Sequence, residues 1–150
     1  TIPAVRNAVD STVSVTSNAD ITAGSIVLAA ANEITKEAVS GYDLYGGAGG
    51  LASGAGGSIK DTLVMNTSAK FGGNKAQANG DYEKGSINVS AYNTASINEK
   101  ANLYSHGGIA GADTDSIVKL TADADVEVSN KNITSRDDDI NYTARNDVDI

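Results

Sequence analysis

The segment Ile87-Asn-Val-Ser-Ala-Tyr-Asn-Thr-Ala-Ser-Ile97 alternates in steps of two. Ile87, Val89, Ala91, Asn93, Ala95 and Ile97 fall on one side of an extended strand, and Asn88, Ser90, Tyr92, Thr94 and Ser96 on the other. The same order, large, large, small, Asn or Ala, then usually large, recurs at Val13–Ile21, Ile26–Ile34, Leu63–Phe71, Val118–Val126 and Ile140–Val148. Six copies of a two-residue alternation make this a repeat protein of strands and leave room for no amphipathic helix of useful length. The copies start at 13, 26, 63, 87, 118 and 140, so the residues between them are expected in further strands or in loops.

A longer period is superimposed on the short one. Gly24-Ser-Ile opens one unit and Gly85-Ser-Ile the next, about sixty residues on, and Leu103-Tyr-Ser-His-Gly-Gly echoes Leu44-Tyr-Gly-Gly-Ala-Gly-Gly. Only 40% of the 150 residues are apolar, with one Phe, one Met and no Trp. A thin core of stacked small residues, as in a solenoid, suits that composition better than a globular core. With roughly twenty residues per coil, a rod on the order of 35 Å is expected, with Ile26, Leu28, Ile87, Val89, Val118 and Leu120 inside.

Residues 1–150 read as a single segment. Residues 41–57 hold eight of the sixteen glycines. Between matched copies, and with Leu51 and Ile59 in phase with Leu63, they read as tightly wound coil with a Gly/Ala-lined interior in preference to a flexible linker. Residues 72–85 carry turn chemistry throughout and are expected to project as a loop. A start at Thr1-Ile2-Pro3 and a last strand still alternating at Ile150 read as a slice of a longer array.

The net charge of −8 argues against nucleic acid or an anionic membrane surface as partner, since both need clustered Lys and Arg. The absence of Cys rules out disulfides and thiolate metal sites. Asn32, Asn93 and Asn146 occupy one step of their copies, facing inward at an expected bend between strands. There they read as a structural ladder whose amides bond turn backbone and one another. Asp113, Asp115, Asp123, Asp125 and Glu127, with Asp137–Asp139, have oxygen ligands enough for weak Ca²⁺ binding. The favoured reading is a solvated face that discourages edge-to-edge aggregation.

Gly47-Ala-Gly-Gly-Leu-Ala52 fits a dinucleotide fingerprint in letters, but Ser53-Gly-Ala-Gly-Gly57 cannot open the helix that the motif needs. His106 is the only histidine, with no nucleophile motif or second ligand beside it. The sequons at Asn66, Asn88, Asn132 and Asn141 are what Ser- and Thr-rich strands produce in any case. No catalytic, cofactor-binding or metal-ligating residue is assigned.

Gly85-Ser-Ile-Asn-Val-Ser-Ala-Tyr-Asn-Thr-Ala-Ser-Ile97, followed by Gly107-Gly-Ile-Ala-Gly-Ala-Asp-Thr-Asp-Ser-Ile-Val-Lys-Leu-Thr121, resembles the passenger region of leukotoxin-type, filamentous-haemagglutinin-like adhesins of Gram-negative anaerobes. The resemblance extends over nearly the whole chain and lies in repeat texture. It implies an all-β, right-handed parallel β-helix, exported through an outer-membrane translocator and displayed or released at the cell surface. It further implies a host or bacterial surface glycan or protein as partner, with neighbouring coils or chains packed end to end. The alternative is a polysaccharide lyase or hydrolase, since such enzymes also use β-helices. Arg6, Arg136 and Arg145 are its only arginines, and Arg136 is the one that stands beside a run of carboxylates, Asp137–Asp139.

Overall fold

A computed structural model describes residues 4–37, 44–80, 85–136 and 138–150. Alternating sequences of this kind extend, and the described residues form eleven strands and no helix. These are β1 (Ala4–Val15), β2 (Asp20–Ala23), β3 (Ile26–Lys36), β4 (Leu44–Gly49), β5 (Ala52–Phe71), β6 (Lys75–Ala78), β7 (Ile87–Ile97), β8 (Ala101–His106), β9 (Ile109–Val128), β10 (Ile133–Ser135) and β11 (Ile140–Asp149). They assemble into four sheets, ordered β1-β5-β9, β10-β6-β2, β11-β7-β3 and β4-β8, and every pairing is parallel.

The chain visits the four sheets in turn and comes back beside itself much later than the short repeat suggests. Ile26 pairs with Ile87 and Ile87 with Ile140, offsets of 61 and 53 residues (87 − 26 and 140 − 87), and Ala52 pairs with Ile109, an offset of 57. The expectation of about twenty residues per coil is therefore replaced by a circuit close to the longer sequence unit. At most three strands per sheet at ~4.8 Å spacing make a stack about 10 Å deep, not 35 Å. The six copies do not lie one on another. Those at 26, 87 and 140 form one sheet, those at 63 and 118 lie in a second that faces it across the core, and the copy at 13 starts at the end of β1 in that second sheet and turns into β2 of a third.

Within the first sheet the register follows the sequence alignment: Ile26, Ile87 and Ile140 share a level, as do Ala30, Ala91 and Ala144. In the second it slips, with Leu63 beside Leu120 rather than Val118, and Val13 beside Ala69. Both slips are even-numbered, two and six residues. An even slip keeps the same side chains inside, so a period-two pattern cannot distinguish the alternatives.

The core is a thin layer between these two sheets, bounded also by the β10-β6-β2 sheet. One cluster gathers Phe71, Ile87, Val89, Ala76 and Ala78, and a second gathers Ile34, Leu63, Met65, Ala95 and Ile97. Burial is deepest in the middle circuit, which has strands on both sides. Leu63 and Val89 are 1% exposed, whereas Val118 and Leu120 on an outer strand are only partly buried.

Two further expectations change. Residues 72–85, expected to project as a loop, contain β6, whose Ala76 and Ala78 are fully buried; residues 81–84 lie outside the described residues. Gly73 makes the turn into β6 at φ 126°, where a Cβ would sit 2.7 Å from the Ala19 carbonyl oxygen. In the glycine-rich stretch, Gly41–Asp43 lie outside the described residues. From Leu44 onward it is β4, a turn at Gly50-Leu51 and the first part of β5. Tyr104 lies across Gly47, its ring 2.2 Å from where a Cβ would stand.

Candidate functional site

The outward side of the β1-β5-β9 sheet carries a regular polar surface. Parallel in-register pairing sets Asp10, Asn66 and Asp123 side by side, then Thr12, Ser68 and Asp125, then Ser14, Lys70 and Glu127. Asn66 Nδ2 donates to Asp10 Oδ1 at 2.7 Å, and Lys70 Nζ lies 3.8 Å from Glu127 with both side chains half exposed. The first two rows and Lys70 line a shallow groove of about 370 Å³. On it, Ser68 Oγ is a buried polar atom without a hydrogen-bond partner among the described residues. Carboxylate, amide and hydroxyl groups repeating at the strand spacing suit a ligand that offers many hydroxyls. The sequence alternation places Asp123, Asp125 and Glu127 outward, and the structure has all three exposed.

Asn32, Asn93 and Asn146 stand at one level of the β3-β7-β11 sheet, in mid-strand and not at a bend. Each amide reaches across the core to the opposite sheet. Asn32 Nδ2 donates to the carbonyls of Val9 at 3.0 Å and Asn66 at 2.8 Å, and its Oδ1 accepts from Ser11 Oγ. Asn93 Nδ2 donates to Asp123 O at 2.7 Å and to Asn146 Oδ1 at 2.8 Å, and its Oδ1 accepts from Thr67 Oγ1 at 2.5 Å. Asn146 Nδ2 donates to Ala122 O at 3.2 Å. Ser11 and Thr67 are register partners, so one hydroxyl–amide contact repeats in two successive circuits.

A buried charged cluster, to which the alternation alone assigns no role, links β3, β5 and the residues just past β7. Lys36 Nζ, at the end of β3, donates to Asp61 Oδ2 in β5 at 2.5 Å and to Glu99 Oε1, just past β7, at 3.1 Å. Ser116 of β9 donates to the other Glu99 oxygen. The side chains of Lys36, Asp61 and Glu99 are 15%, 1% and 6% exposed. Burial, with the hydrogen bond from Asp61, lifts the Glu99 carboxyl above its usual range against the pull of Lys36. Burial alone would lower Lys36, but the hydrogen bonds and charges of Asp61 and Glu99 outweigh it and hold the ammonium more firmly protonated. The signal was present: Asp61 takes an inward step between Ile59 and Leu63.

The remaining candidates stand apart. His106 is exposed and meets Tyr104 edge to face, centroids 5.5 Å apart, above the bare backbone of Gly47 and Gly49. Asp113, Asp115, Asp138 and Asp139 are exposed, and Asp137 lies outside the described residues. Among the described residues no three His, Asp or Glu side chains converge as a metal site. Gly47–Ala52 runs from strand through a turn to strand, with no helix for a phosphate to approach. Comparison with known protein families, curated proteins and solved structures finds no match to the chain.

Proposed function

We propose that the chain is a structural and adhesive segment of a right-handed parallel β-helix, carried by an extracellular or outer-membrane-surface protein and binding a surface glycan. The observation that carries this reading is the polar groove on the β1-β5-β9 sheet, where Asp10, Asn66 and Asp123 run beside Thr12, Ser68 and Asp125 in register. Parallel stacking repeats donors and acceptors at a fixed spacing, which suits a polyhydroxylated chain laid along them. Export through an outer-membrane translocator goes with the same reading and rests on the resemblance in repeat texture.

The stack also supports further circuits, or a second copy, as end-to-end neighbours. The four sheets end in β1, β2, β3 and β4 on one side and in β9, β10, β11 and β8 on the other, each with one unpaired edge among the described residues. A polysaccharide lyase or hydrolase is the second reading, favoured by Asp10, Asp123, Asp125 and Lys70 in one groove. Binding of the immobilised chain to a panel of host and bacterial surface glycans tests the first. Binding that is lost in Asp123→Ala and Asn66→Ala supports it, and a panel with no binder sinks it. Polyuronate depolymerisation, with or without Ca²⁺, would favour the enzyme instead.

A further inference from the structure

We propose that Lys36 and Asp61 become joined by an intramolecular isopeptide bond, formed in the folded chain without any other protein, with Glu99 moving the protons. Lys36 Nζ lies 2.5 Å from Asp61 Oδ2, inside van der Waals contact for amine and carboxyl, and Glu99 Oε1 is within reach of the same nitrogen at 3.1 Å. Along the chain Lys36, Asp61 and Glu99 each stand two residues from buried apolar residues of the core, Ile34, Ile59 and Leu63, and Ile97 respectively. Ser116 holds the far oxygen of Glu99, so that the carboxyl is fixed relative to both partners.

Asp61 and Glu99 keep Lys36 protonated at rest, so the neutral amine and acid form only transiently, at a cost that burial reduces because the charged pair is poorly solvated there. Passage of one proton from Lys36 Nζ to the Asp61 carboxylate, through Glu99, gives the neutral pair without any exchange with solvent. The Nζ lone pair then attacks Asp61 Cγ, forming a C–N bond and a tetrahedral centre. Glu99 takes a proton from that nitrogen and delivers it to the departing hydroxyl. The C–O bond breaks, one water leaves, and an amide remains; nothing is oxidised or reduced. Groups held together in this way react as if at very high concentration, up to about 10⁵–10⁸ M once the attacking lone pair is aligned, which favours condensation. The burial-raised affinity of Glu99 for a proton suits it to carry one.

The bond ties the end of β3 to β5 in the next circuit and encloses β4 and the Gly50-Leu51 turn. It stands whether or not the chain binds glycans. Intact-mass measurement on the purified full chain, its strand content checked by circular dichroism, tests it directly. The expected mass is one water below that of the sequence, and tryptic digestion is expected to yield a branched peptide holding both Lys36 and Asp61. Lys36→Arg should show the full mass. Asp61→Asn should close with loss of ammonia to the same product as the native chain. Glu99→Gln should slow closure by at least ~100-fold, the contribution of a positioned proton carrier. A folded native chain at full mass, with no branched peptide, overturns the bond. Closure in Glu99→Gln at the native rate overturns the role of Glu99, and if that variant fails to fold, the native peptide map still decides on the bond.

Discussion

Asn93 is 1% exposed, yet its side chain makes three hydrogen bonds: to Asp123 O, to Asn146 Oδ1 and from Thr67. An amide at an inward step is tolerated because the opposite sheet offers it backbone carbonyls. Truncation to Ala leaves these groups to find other partners in a dry layer. Asn93→Ala is expected to cost about 2–4 kcal/mol, read from the midpoint of urea denaturation. Asn146, on the exposed outer strand, makes the same kind of contact where water can replace it, so Asn146→Ala should cost about 1 kcal/mol or less. Equal costs would show that the column does not hold the sheets together. The inward step of all three Asn residues is legible in the alternation, but their partners are not. The partners are backbone carbonyls on a strand that the sequence does not identify as opposite. Asp61 is the converse case: a charge at an inward step, legible as an anomaly, whose resolution in Lys36 and Glu99 depends on residues 25 and 38 positions away (61 − 36 and 99 − 61).

At the scale of elements, identical motifs separate once their strands are stacked. Gly24-Ser-Ile and Gly85-Ser-Ile open β3 and β7, which pair in register. Gly24 lies on an outer circuit, and a Cβ added there would meet nothing within 4 Å. Gly85 lies between circuits, its N–H donating to Arg136 O at 3.1 Å and its carbonyl accepting from Ser135 Oγ. A Cβ on Gly85 would stand 2.7 Å from the Ala78 carbonyl oxygen and 2.8 Å from that of Gly24, and both are backbone atoms that cannot swing aside. Gly85→Ala should therefore destabilise by about 1–3 kcal/mol, whereas Gly24→Ala should be neutral or stabilise by up to about 1 kcal/mol through the unfolded chain. Thermal unfolding of the two variants side by side decides this, and similar shifts would contradict the stacking. The longer sequence unit was a truer guide to the circuit than the short one for the same reason. Two facing sheets share one alternation, so the short repeat counts strands, while the Gly-Ser-Ile pair and the Leu-Tyr echo mark returns to the same sheet.

For the whole molecule, the two ends of the stack differ. On the β3 side the inward residues Ile26, Leu28 and Ile34 are 7–9% exposed. On the β11 side Ile140, Tyr142 and Val148, at inward levels by register, are 38%, 45% and 48% exposed. That end therefore presents apolar side chains together with a row of unpaired backbone groups, and the opposite end presents backbone groups of the same spacing. Parallel strands can join the two head to tail, a contact that does not close on itself and so extends into filaments. The net charge of −8 opposes the approach of copies, and salt screens it. Light scattering is expected to show a mass that rises with both concentration and ionic strength. Tyr142→Lys, which places a charge on the exposed end and empties no buried site, should hold the chain monomeric while leaving its strand spectrum intact. Amide exchange in β11 should slow as association proceeds. A monomer at every salt concentration, with β11 amides already as protected as those around Val89, would mean that the apolar end is stable against water by itself and that neither another copy nor a further circuit belongs on it.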